Sequence, residues 1–214
     1  ITIREGDQLF EAKMTTGNSQ IMMAVNSGKS IRFEEEKVRS MGRTAAGVRG
    51  IRLPSEDDEV VGMICINDME SSVLVVSENG YGKRSAVEDY RITNRGGKGV
   101  KTINVTEKTG GLIALKNVTD SDDLMVINKS GITIRIGVDA LRVMGRATQG
   151  VKIIRLRDED SIASVASVSK WENEELLLDA KGNVIKNEIV DDVENEDATT
   201  NETSTKENED NNTN

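Results

Sequence analysis

Gly28-Lys29-Ser30 has the ending of a phosphate-binding loop, in which backbone amides and a lysine cradle a nucleotide at the start of a helix. The first glycine of that motif, five residues before Gly28, is replaced by Met23, and the residues that follow are strand formers. Tyr81 and Tyr90 carry the hydroxyls that a DNA-cleaving nucleophile would need, but neither is accompanied by a histidine or a metal-ligand set. We read both as packing residues. Asp57-Asp58-Glu59 and Asp120-Ser121-Asp122-Asp123 lack the glycine and glutamate spacing of a calcium loop and read as solvated turns. The chain contains no histidine, which removes the commonest general base and the usual zinc ligand. Cys65 stands alone, so neither an intrachain disulfide nor a cysteine metal cage can form. No acid, base and nucleophile set for an autonomous enzyme is present, and no metal or cofactor is expected in this chain.

The chemistry that survives is cationic and glycine-spaced. A seven-residue signature recurs as Gly42-Arg43-Thr44-Ala45-Ala46-Gly47-Val48, Asn94-Arg95-Gly96-Gly97-Lys98-Gly99-Val100 and Gly145-Arg146-Ala147-Thr148-Gln149-Gly150-Val151. Its last glycines are 52 and 51 residues apart. Gly28, Gly80, Gly131 and Gly182 keep the same beat, each behind a short apolar run. A period of this length belongs to units too small to bury their own apolar faces, which must stack on their neighbours.

The elements that must position these loops are strands. Ile21-Val25, Val60-Ile66, Val73-Val76, Leu112-Val118, Leu124-Ile127 and Ile162-Val168 are short and rich in Val, Ile and Leu. Asn26-Ser27-Gly28, Glu78-Asn79-Gly80, Lys129-Ser130-Gly131 and Lys181-Gly182-Asn183 supply the positive-φ residue of a tight hairpin. The fold class is therefore all-β, with one small antiparallel four-stranded sheet expected per repeat of about 51 residues, arranged as propeller-like blades. Residues 1–187 form the repeat domain. From Glu188 to Asn214 ten acidic residues face Lys206 alone, the composition of a disordered acidic tail. The apolar runs are far shorter than a membrane span requires, and no signal peptide is visible. Ile1 begins inside a repeat, so the chain is expected to be an excerpt of something longer.

The net charge of −9 resides in the tail, and the repeat domain is neutral with its charges sorted by phase. Residues 29–52 carry seven basic and three acidic groups, 83–101 six and two, and 135–157 six and one, whereas 53–82 carry seven acids and no base. Stacking the repeats brings Lys29, Arg32, Lys83, Arg84 and Arg135 to equivalent places, as a cationic stripe suited to a curved polyanion such as duplex DNA. The alternative is a solvated surface whose charges pair with the acidic half of the next unit.

The run from Val38 to Gly42 and on from Gly47 to Leu53, the block Asn79-Gly80-Tyr81-Gly82-Lys83-Arg84-Ser85-Ala86-Val87, and Gly145-Arg146 through Gln149-Gly150-Val151 closely resemble the C-terminal domain of DNA gyrase A. The resemblance covers residues 1 to about 187 and implies a β-pinwheel, a propeller variant, of which this chain would be the last three and a half to four blades plus the tail. It implies a non-catalytic module that binds double-stranded DNA and wraps it into a positive crossing, so that the enzyme introduces negative supercoils. The phosphate contacts expected on this reading are Lys29, Arg32, Arg43, Lys83, Arg84, Arg95, Lys98, Arg135 and Arg146. ATP and Mg2+ would be used by the whole enzyme, with ATP hydrolysis on gyrase B and the cleaving tyrosine in the N-terminal part of gyrase A. The assembly would pair two copies of gyrase A with two of gyrase B in the bacterial cytoplasm, associated with the nucleoid.

In the family's hallmark box, Gln and two basic residues precede Gly-Gly-Lys-Gly. Arg95-Gly96-Gly97-Lys98-Gly99 matches its second half, but Thr93-Asn94 replace the first two positions. We read it as a repeat-equivalent, with the full box expected upstream of Ile1. The corresponding C-terminal domain of topoisomerase IV and a protein-interaction propeller stand as the alternatives. The tail, tethered beside a cationic rim, is expected to compete with DNA for it.

Overall fold

The computed structural model describes residues 1–157 and 160–169, together with the backbone of Leu177–Leu178 and Val184–Ile185. The chain divides into two units, Ile1–Glu174 and Glu175–Asn214. Strands and short 3₁₀ turns make up the regular structure of the described residues, and no helix among them is long and apolar enough to cross a membrane.

In the first blade, β1 (Gln20–Val25), β2 (Lys29–Glu34) and β3 (Val60–Ile66) are antiparallel, with β1 central. The second blade has β4 (Ser72–Ser77), β5 (Tyr81–Ala86) and β7 (Leu112–Val118), with β4 central. In the third, β8 (Asp122–Asn128) lies between β9 (Thr133–Gly137) and β11 (Ile162–Ser169). The turns between β1 and β2, β4 and β5, and β8 and β9 hold Gly28, Gly80 and Gly131 at φ of 81, 78 and 85°, as the hairpin reading requires. In the second unit β12 (Leu177–Leu178) pairs antiparallel with β13 (Val184–Ile185). Gly182 and the acidic stretch from Glu188 lie outside the described residues.

The expected four-stranded sheet is present in the first two blades, but its fourth strand comes from the following repeat. The fourth strand of the first blade is β6 (Val100–Lys101), which follows the second glycine box and pairs with β2 through Lys29–Lys101 and Ser30–Val100. Likewise β10 (Val151–Lys152), after the third box, completes the second blade against Tyr81 and Gly82 of β5. Each repeat thus lends its box and the strand behind it to the preceding blade. The close approach explains two glycines: a Cβ on Gly99 would lie 2.4 Å from the Ser30 carbonyl oxygen, and one on Gly150 would lie 2.6 Å from that of Gly82, both at positive φ.

The core lies between blades. Val73 and Val75 of β4 join Met22, Ala24 and Ile64 of the first blade, while Leu74 and Val76, on the opposite face of the same strand, join Leu124, Val126 and Val165 of the third. Strand alternation sends alternate residues to two neighbours, so β4 is buried along its whole length. A fully buried valine or leucine contributes about 1.5–3 kcal/mol, and here those contributions are inter-blade.

Candidate nucleic-acid interface

Three basic residues of the hairpin arms, Arg32, Lys83 and Arg84, are buried. Arg32, on β2, is 4% exposed and its Nη1 donates to the carbonyls of Val87 (2.7 Å) and Tyr90 (3.0 Å), capping a 3₁₀ turn of the next blade. Its Nε donates to Gln20 Oε1 at 2.8 Å. Arg84, one repeat later, is 6% exposed, donates through Nε to the Leu141 carbonyl at 2.6 Å and pairs with Asp120. Leu141 and Tyr90 are equivalent, so the two arginines clamp successive blades in the same way. Lys83 is 1% exposed and donates to Gly145 O (2.7 Å) and Ser85 Oγ (3.2 Å), holding the third box from beneath. Burial pulls its pKa down to about 8, with Arg146 pushing the same way and Asp89 opposing. Burial lowers the Arg32 pKa too, against the raising influence of Glu34 and Glu88. The structure therefore takes Arg32, Lys83 and Arg84 out of the expected phosphate-contact surface: they are buried, and they donate to backbone carbonyls and to the side chains of Gln20, Ser85 and Asp120.

The other expected contacts divide. Arg43 and Lys98 are exposed on box loops, and Arg135 is exposed on β9, where its Nε donates to Asp123 Oδ2 at 2.7 Å. Lys29 is half-buried, opposite Lys101. Arg95 and Arg146 are half-buried, and both donate to carbonyls of the preceding repeat. Lys98 and Arg91 line one cavity of about 200 Å³ with Ser30, Thr93 and Asn94, where the box loop arches over β2.

Two cation series escaped the residue-by-residue reading. Arg39, Arg91 and Arg142 recur 52 and 51 residues apart, just before each box, and all are exposed. Arg49, Lys101 and Lys152 recur at the same phase, just after each box, and are exposed too. Recurrence at one phase was the signal that could have found them. Lys29 and Lys101 face each other as like charges across a strand pair, an arrangement that costs energy unless an anion lies over it. Lys152 sits opposite Tyr81, its Nζ 5.8 Å from the ring centroid, with Lys108 Nζ at 5.5 Å.

Tyr90 is a packing residue, as expected. Tyr90 is buried in the core between the first two blades and shares a 2.7 Å hydrogen bond with Thr102, and burial raises its pKa. Among the described residues no group of three or more His, Cys, Asp or Glu side chains could hold a metal ion. The site offers cations fixed on a repeating scaffold, which suits a polyanion bound along its backbone.

The family described as the DNA gyrase C-terminal domain, beta-propeller, matches residues 19–67, 71–119 and 122–169, which coincide with the three sequence repeats. DNA gyrase A of Staphylococcus aureus is 44% identical over 176 residues, covering 82% of this chain and 20% of that protein. Its Staphylococcus epidermidis counterpart is 44% identical over 171 residues, covering 79% and 19%. The chain thus spans about a fifth of the length of these relatives. A solved DNA gyrase A C-terminal domain superposes with a TM-score of 0.71 at 25% identity, over 78% of this chain and 56% of that one. The C-terminal domain of DNA topoisomerase IV gives 0.72 at 22% identity, over 78% and 52%, a likeness of fold.

Proposed function

From the premise that the chain belongs to the DNA gyrase A C-terminal β-propeller family, we propose that its box rim binds duplex DNA and wraps it with one hand for a supercoiling type IIA topoisomerase. The carrying observation is the pair of exposed series, Arg39, Arg91, Arg142 and Arg49, Lys101, Lys152, which bracket successive boxes at constant phase. With Lys98 they make a contact set whose log-log salt slope is roughly −6, at about 0.9 per phosphate neutralised. No recognition helix is among the described residues, so contacts go to the backbone and any sequence preference arises from the cost of bending. The chain itself supplies binding. ATP hydrolysis with Mg2+ on gyrase B, and strand cleavage elsewhere in gyrase A, are the activities it would serve within an assembly of two copies of each in the bacterial cytoplasm.

The test is the linking-number change left on relaxed circular plasmid after a nicking-closing topoisomerase acts in the presence of the full-length protein. A positive change per bound protein is expected. Tight binding without a change would point to the topoisomerase IV reading, and no binding would return the protein-interaction propeller.

A further inference from the structure

We propose that the box arginines Arg95 and Arg146 are positioning residues that fix the spacing between consecutive boxes, not phosphate ligands. The inference rests on the wrapping function proposed above. Arg95 donates through Nε to Lys37 O at 2.8 Å and through Nη1 to Arg49 O at 3.1 Å. Arg146, its equivalent one repeat on, donates through Nη1 to Lys101 O at 2.8 Å. Arg49 and Lys101 are themselves one repeat apart, so the acceptor is the same place in the preceding box. It is also the backbone of an exposed rim cation. Arg95 and Arg146 therefore each grip the peptide that carries the rim cation behind the preceding box.

A second link runs beside the first. Arg52 N donates to Gly97 O at 2.9 Å, and Asn104 N to Thr148 O at 3.1 Å, again at equivalent positions. Thr2 N donates to Ala45 O at 3.2 Å in the first box, whose Arg43 has no side-chain partner among the described residues. The first and second boxes, and the second and third, are thus pinned both through backbone and through a guanidinium, the first pair with a further backbone bond from Gly96 N to Gly50 O. Arginine suits the task because its planar fork reaches two carbonyls at a fixed angle, as Arg95 does, where lysine offers a single flexible point. Pinning lets the protein, and not the DNA, set the distance from one cation pair to the next. A curved path of defined hand needs that distance fixed in advance, since contacts act together only when one geometry satisfies them all.

The experiment uses the full-length protein in complex with gyrase B, with Arg95→Lys and Arg146→Lys combined. Affinity for a duplex short enough to lie on one blade should stay within about twofold, because the charge is kept. The linking-number change per bound protein should fall to roughly half or less, because the second contact no longer arrives in register. Equal losses in both assays, or no loss in either, would overturn the proposal. Arg146→Gln, which keeps a donor and drops the charge, covers the case in which the double variant folds poorly. Its salt slope should match that of the unsubstituted protein, and a slope shallower by about 0.9 would make Arg146 a phosphate ligand and end the proposal. If the unsubstituted protein produces no linking-number change, it is the wrapping function that fails, and the arginine tether remains as a contact between boxes.

Discussion

The hairpin arms and the box rim carry the same residue types and put them to opposite use. On β2 and β5, Arg32, Lys83 and Arg84 lie beneath neighbouring blades and donate to carbonyls of the next repeat. A few residues away along the chain, Arg91, Lys98, Lys101, Arg142 and Lys152 stand in solvent around the boxes. The difference follows from where a blade's faces point. Arg32, Lys83 and Arg84 leave β2 and β5 towards the next repeat, whereas the rim cations leave the segments around the boxes towards water. Cations of the first kind must be matched by acceptors, and here the acceptors are 3₁₀-turn and box-loop carbonyls, so the arms act as polar locks between blades. Cations of the second kind are exposed, and of their donors Lys101 Nζ gives one to Asn104 Oδ1 at 3.0 Å.

This contrast can be broken most severely at the glycines that let a box approach the preceding blade. Gly99→Ala should cost on the order of 3 kcal/mol, from left-handed strain plus a forced shift of Ser30. Gly47→Ala has the same box position and a φ of +84°, but a Cβ there meets nothing within 4 Å, so about 1 kcal/mol of strain is the whole expected loss. Equilibrium denaturation of the two variants checks the difference. Arg32→Met comes next: it leaves the Val87 and Tyr90 carbonyls without their donor and should cost about 2–3 kcal/mol while leaving the salt dependence of DNA binding unchanged. A melting point lowered by roughly 5–10 °C with an unaltered salt slope is the expected pair of readings.

Lys83 sharpens the contrast through pH. Its folded pKa of about 8 lies below its ordinary value of 10.5, so between those two values the unfolded chain binds more protons and stability rises with pH. From pH 8 to about 9.5 the gain should be about 1–2 kcal/mol, since each pH unit crossed inside that window is worth up to about 1.36 kcal/mol. Denaturation of Lys83→Met across the same range should lack that gain.

Much of the fold is legible in the sequence. The repeat period, the hairpin glycines and the strand runs are local features, and they located all three blades. The strand exchange was hidden because β6 and β10 are two residues long, too short for alternation to show, and their partners lie a repeat away. The inward turn of Arg32 was hidden for a related reason. In Ile31-Arg32-Phe33 a period of two sends the arginine to the face opposite the apolar pair, which in a two-layer protein would be solvent. In a stack of blades it is the next blade. The rim was legible only in outline: the basic stretches were seen, but separating Arg91 or Lys101 from Lys83 required knowing which segment is exchanged.

The most direct test is the salt dependence of DNA binding by a variant with Arg91, Lys98, Lys101, Arg142 and Lys152 all changed to Ala, beside Arg32→Met as the interior control. The slope of log affinity against log salt should fall from roughly −6 to about −2 in the rim variant and stay near −6 in the control. A rim variant that keeps its slope, or a folded interior variant that loses it, would contradict the division of labour between the two cation sets.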